Sequence, residues 1–180
     1  MTRLMDIAAD RGGYVPMRLA REQGLLPARL VTLARRGALE RVGHGLYRIP
    51  GFPVDRNDDL LRAVLWTNER GAISHETALA LYELADVNPV AIDIIVRTDY
   101  RIERAGGEHY RVHHAPLSAQ NTRIFEGVRV VDVLTAIEGA TTQGVGTAVI
   151  FDAIDRARRL GWITKTQAKV ARVQMETDHG

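Results

Sequence analysis

Apolar positions recur at helical spacing in three short runs near the start of the chain, each closed by glycine. Leu4, Ile7 and Ala8 mark the first, which Gly12-Gly13 ends. The second is expected at about residues 16–23. Proline near its start costs little, because a first-turn N–H has no helical partner anyway. Gly24 breaks that run, and Pro27 opens a third that continues to Arg36 and stops at Gly37. Residues 38–42 and 45–49 then read as two short strands around Gly43-His44-Gly45, a glycine-flanked reversal of the kind that closes a hairpin.

Pro50-Gly51-Phe52-Pro53 interrupts the pattern and predicts a boundary there. Beyond it, helices are expected at residues 58–69 and 75–84, the second capped by Ser74. Strands follow at 91–97, 109–114 and 128–131, and helices at 132–140, 147–160 and 164–175. Thr164 and Gln167 have capping-box spacing at the last start. The expected fold class is α+β. A winged helix-turn-helix occupies residues 1–52, and a small mixed α/β domain ending in helices occupies 53–180.

Charge separates the same two parts. Residues 1–50 hold nine arginines against four acids, a net of +5, whereas 51–180 hold fifteen basic against eighteen acidic residues, a net of −3. A basic head on a mildly acidic body points to an anionic partner for the head alone. On the third helix Leu30, Leu33 and Ala34 share one face, and Arg29, Thr32 and Arg36 lie on another, with Arg35 at its edge. A helix presenting arginine and threonine in this way suits the major groove, where they donate to guanine edges and phosphates. Arg41, His44 and Arg48 on the hairpin, with Arg18 on the second helix, complete the expected DNA-binding set.

Little else in the chain carries chemistry. There is no cysteine, which removes disulfides, thiolate metal sites and thiol nucleophiles. His113 and His114 are strand neighbours that point to opposite faces, and no carboxylate stands at ligand spacing from His109 and His113. A magnesium nuclease needs an acid on one strand and an acid-x-lysine on the next. Asp93 offers the first, but the two lysines, Lys165 and Lys169, lie in the terminal helices, and Asp99-Tyr100-Arg101 is a poor substitute. Gly144-Val145-Gly146 has neither the lysine nor the leading strand of a phosphate loop, and no Gly-x-Ser-x-Gly occurs. His75-Glu76 is read as structural, with Glu76 complementing a helix N-terminus. A non-enzymatic protein without cofactor or metal is expected. The absence of an apolar span of 18 residues and of a signal-like start predicts no membrane association and a cytoplasmic location.

Several phrases resemble AbiEi-type antitoxins of type IV toxin–antitoxin systems. In the head they are Gly13-Tyr14-Val15, Ala20-Arg21-Glu22-Gln23-Gly24-Leu25, Leu33 through Val42, and Gly45-Leu46-Tyr47-Arg48. In the body they are Ile73-Ser74-His75-Glu76-Thr77-Ala78-Leu79, Asp86-Val87-Asn88-Pro89 and Glu126 through Val131. The chain departs from the commoner pattern at Val131 through Ala136, where relatives carry a Thr-Pro-Ala-Arg-like stretch. The resemblance implies a bacterial antitoxin, and the arginine bias an actinobacterial one. It also implies a head that represses its own operon through promoter repeats and a nucleotidyltransferase-like toxin as partner, counteracted by the body; whether the head binds DNA as a monomer or a homodimer stays open. The alternative is a stand-alone winged-helix regulator whose second domain dimerises or binds a ligand.

Overall fold

The computed structural model describes residues 2–178, with side chains as far as Met175. The head is built from α1 (Thr2–Ala9), β1 (Tyr14–Pro16), α2 (Met17–Glu22), α3 (Pro27–Arg35), β2 (Glu40–Gly43) and β3 (Leu46–Arg48). The helices and hairpin stand where the pattern puts them. The addition is β1, three buried residues with no alternation to betray them. It pairs antiparallel with β3, giving a sheet ordered β1-β3-β2. Leu4, Ile7, Val15, Leu30 and Tyr47 form the core of this unit. Phe52 packs against it through Gly13, whose φ of +88° and contact with the ring leave no room for a side chain; a Cβ there would lie 2.5 Å from Phe52.

The body comprises α4 (Asp58–Trp66), β4 (Ala72–Ile73), α5 (His75–Leu81), β5 (Ile92–Val96), β6 (Tyr110–His114), β7 (Thr122–Phe125), β8 (Val128–Val131), α6 (Val133–Thr142), α7 (Thr147–Arg159) and α8 (Lys165–Asp178). Its five strands run β6-β5-β4-β8-β7, with β5/β6 and β4/β8 parallel and the other two pairs antiparallel. Strands β4 and β7 were not expected from the pattern. One has two residues and the other is half exposed, too little for either periodicity to register. Helix α4 packs on β4, β5 and β8, and α5 packs on β5 and on α6, which continues into the α7–α8 hairpin. With cover on both faces, Ile94, Ile95 and Val96 of β5 are all buried despite their alternation. The capping box at α8 forms: the Thr164 amide donates to Gln167 (2.8 Å), and the Gln167 amide donates to the Thr164 hydroxyl (3.2 Å). Ser74 does not cap α5; its hydroxyl pairs with the His75 ring instead.

Head and body meet along α4. Tyr14 is buried between Leu46 and Leu65, and its hydroxyl donates to Asp58 (2.7 Å). Burial, and next that hydrogen bond, push the phenol well above its usual range. Glu69, just past the end of α4, receives Arg11 at 2.8 Å and Arg18 at 2.9 Å from the head.

Candidate nucleic-acid interface

Leu30 is fully buried and fixes the roll of α3 against the head core, with Leu33 and Ala34 half-buried beside it. Proline at its first turn and the exposed Leu26 before it set the entry. That roll turns Arg29, Thr32, Arg35 and Arg36 to solvent. Thr32 returns its hydroxyl to the Ala28 carbonyl (2.9 Å), which leaves its methyl and oxygen on the outer surface. Arg36 stands just outside the helix as its C-cap. On the hairpin, a bulge between Arg41 and Gly43 carries the exposed Arg41 and His44.

These groups differ from Arg11, Arg18 and Arg48 in their partners, whereas Arg3, on α1, bonds only the Gln23 carbonyl (3.2 Å) among the described residues. Among the described residues, no carboxylate pairs with Arg21, Arg29, Arg35, Arg36 or Arg41. All five residues are exposed. A phosphate would replace water at each without first breaking an ion pair. Arg21, exposed on α2, was missing from the sequence-based set; only its exposure in the fold brings it forward.

Two residues of that set are employed inside the protein. Arg18 bonds Glu22 at 2.7 Å and Glu69 at 2.9 Å, so it clamps head to body. Arg48 lies with its side chain only 15% exposed, donating to the carbonyls of Phe52 (3.2 Å), Pro53 (3.1 Å) and Gly12 (3.4 Å). It also covers the Tyr14 ring and stands 3.9 Å from Asp58. Strand period gives a side chain its face and not its depth, and here the interdomain segment closes over the residue. Arg48→Ala should therefore cost about 2 kcal/mol of stability through the lost charge-assisted hydrogen bonds. Thermal melts would register this, while the salt dependence of DNA binding stays unchanged; a slope reduced by about one would mark Arg48 as a phosphate contact instead.

The body holds a second concentration of polar groups. Asp93 on β5 is completely buried. One carboxylate oxygen meets His113 Nε2 (2.9 Å), Gln143 (3.1 Å) and Arg111 (3.5 Å), and the other accepts from Thr77 (3.1 Å). His113 is stacked on His75 with ring centroids 3.5 Å apart. Gly139 of α6 makes room for that pair, since a Cβ there would lie 2.9 Å from the His75 ring. His75 is nearly buried and takes a φ of +53°. Its ionisation is pushed down to about 4, first by burial and then by the neighbouring His113. Asp93 is fully buried within the cluster and its oxygens are taken by these partners, Gln143 Oε1 being the one buried side-chain polar atom among the described residues left without one, while Arg111 reaches solvent at the rim. Among the described residues no group of three potential metal ligands converges, and no helix is long and apolar enough to cross a membrane.

The comparisons with known proteins bear on the head and on the whole fold separately. The crystal structure of the RV2827C protein from Mycobacterium tuberculosis is similar over 97% of this chain and 75% of that one, with a TM-score of 0.52 and 16% identity. At that identity the likeness concerns the fold. No curated protein matches. Residues 3–50 match the family described as "Transcriptional regulator, AbiEi antitoxin". The head is thus similar to that family of transcriptional regulators over residues 3–50.

Proposed function

We propose that this chain is a cytoplasmic antitoxin and autorepressor without catalytic activity. Its head binds repeats in the promoter of its own operon, as a homodimer if the repeats are inverted. Its body counteracts a nucleotidyltransferase-like toxin. The observation that carries the DNA reading is the row of carboxylate-free arginines, Arg29, Arg35, Arg36 and Arg41, on an AbiEi-type head beside the exposed Thr32 and His44. The reading face is α3, and Arg21, Arg41 and His44 supply backbone contacts from α2 and the wing. Arg18 and Arg48 are left out of it, because ion pairs and carbonyl bonds within the fold already hold their guanidinium groups in place. The sealed Asp93 supports a non-enzymatic body, since a magnesium site needs that carboxylate open.

The test separates the two roles. A promoter fragment should shift with full-length protein, and the affinity should fall steeply as salt rises. Arg29→Ala and Arg36→Ala should each weaken binding about tenfold without lowering the melting temperature. The double variant should lose repression in cells yet still protect against the toxin. An unchanged shift would remove α3 as the reading element. Protection lost along with repression would show that the antitoxin role depends on DNA binding.

A further inference from the structure

A cavity of about 480 Å³ opens beside the end of α4, walled by Arg70, Arg97, Arg129, Tyr100, Glu69 and Asp99. Three guanidinium groups face two carboxylates there, but one carboxylate is committed elsewhere. Both oxygens of Glu69 are taken by Arg11 and Arg18 of the head, at 2.8 and 2.9 Å. Asp99 is bound by Arg97 through two hydrogen bonds, at 2.9 and 2.5 Å, and its ionisation is held below the usual carboxylate range by that pairing. Arg70 adds to the field at Asp99 without pairing with it, and no carboxylate bonds Arg129 among the described residues, so with Glu69 committed to the head the cavity keeps a local excess of two positive charges.

Capping of α4 accounts for only part of this arrangement. Arg129 gives one N–H to the Glu69 carbonyl (3.0 Å) and another, weakly, to Thr122 (3.5 Å), keeping further donors toward the cavity. Arg70 caps nothing; its guanidinium lies over the Tyr100 ring, 5.0 Å from the centroid. Tyr100 is itself held by donation to the Thr67 carbonyl (3.0 Å) and by Asn68 (3.3 Å), so the aromatic wall is fixed. Asn68 and Glu69 both take the left-handed conformation, with φ of 57° and 62°. That costs energy and turns Glu69 toward the head.

We infer that this cavity is a binding site for a small molecule carrying a phosphate or diphosphate group. Two fixed-charge, fork-shaped donors match a phosphate dianion in charge and geometry. The volume admits a nucleotide-sized ligand. Because Glu69 joins the cavity wall to Arg11 and Arg18, an occupied site would sit directly against the head–body seam. The site is separate from the DNA-reading face and does not depend on it.

The experiment is calorimetric titration of the full chain with pyrophosphate and with ATP at moderate salt. Saturable binding at one site is expected, weakened tenfold or more in Arg70→Ala and in Arg129→Lys, and retained in the Arg29→Ala/Arg36→Ala double variant. Arg70 is exposed, so Arg70→Ala should melt with the parent and any lost binding is local. No saturable binding, or binding indifferent to both cavity substitutions, overturns the assignment. Loss in the α3 double variant would place the anion on the DNA face and overturn it too. If Arg70→Ala weakened duplex DNA while pyrophosphate never bound, the cavity would belong to a nucleic-acid backbone and the small-molecule site would fall.

Discussion

Asp93→Ala should destabilise the protein by about 3 kcal/mol, because it removes a fully buried acceptor and leaves the buried Thr77 and half-buried His113 and Gln143 without their partner. His113, Gln143, Arg111 and Thr77 all converge on this one carboxylate. Those partners come from β6, from the C-cap of α6 and from α5, so the loss falls on the body where its layers join. For a chain of this length the melting temperature should drop by roughly 10 °C, or the body should fail to fold. Asp93→Asn retains the shape and one carbonyl acceptor, and should fall between parent and alanine variant. A melt of Asp93→Ala within about 2 °C of the parent would show that the network is dispensable. If the protein were a metal nuclease, Asp93→Asn would instead remove an activity while leaving stability nearly intact. The two readings of this residue thus predict opposite outcomes.

That residue also shows where reading a sequence stops. An aspartate inside Ile-Asp-Ile-Ile-Val is conspicuous, and from the chain alone the natural question was whether it holds a metal. The answer needed Thr77, Arg111, His113 and Gln143, which lie between 16 and 50 positions away along the chain. Local periodicity carries no information about such distances. The place of His113 is illegible for the same reason, since its half-buried position under His75 depends on α5 being folded back by α6. Likewise the span from Ser74 to His75 looked like a helix cap. The cap failed because the serine hydroxyl had a nearer partner in the histidine ring.

The head was more legible because its signals are local. Each helix is amphipathic over two or three turns and ends at a glycine, and the hairpin announces itself within twelve residues. The exposure of Arg29, Thr32, Arg35 and Arg36 follows from Leu30 alone, since one buried residue fixes the roll of a nine-residue helix. The internal contacts of Arg18 and Arg48 are not legible in the sequence, because their partners, Glu69 and the 52–53 carbonyls, belong to the seam. A basic residue in a basic head is a DNA contact only if the protein has not already used it. Pairing within the fold, more than charge along the chain, sorts the two kinds.

Acidification should weaken the protein through His75. Burial, His113 beside it and Arg111 nearby favour the neutral ring, Asp93 opposes them, and the outcome is an ionisation lowered from the ordinary 6.5 to about 4. The unfolded chain therefore takes up a proton at this residue below about pH 6.5, while the folded chain resists until about pH 4. Stability from this group is complete above the unfolded value. It falls as pH drops through the interval, by about 1.4 kcal/mol per unit and about 3 kcal/mol in all. The decisive comparison is with His75→Asn, because asparagine tolerates the +53° φ and can still bond Ser74, but does not titrate. Urea unfolding of both proteins at several values between pH 7 and 4.5 cancels the titrations they share. The variant should be the less stable of the two at pH 7, having lost the stacked ring against Gly139, and the gap should narrow steadily toward acid pH. Parallel curves would mean that the protonated ring is accommodated in the fold, and that the stack on His113 does not hold it neutral.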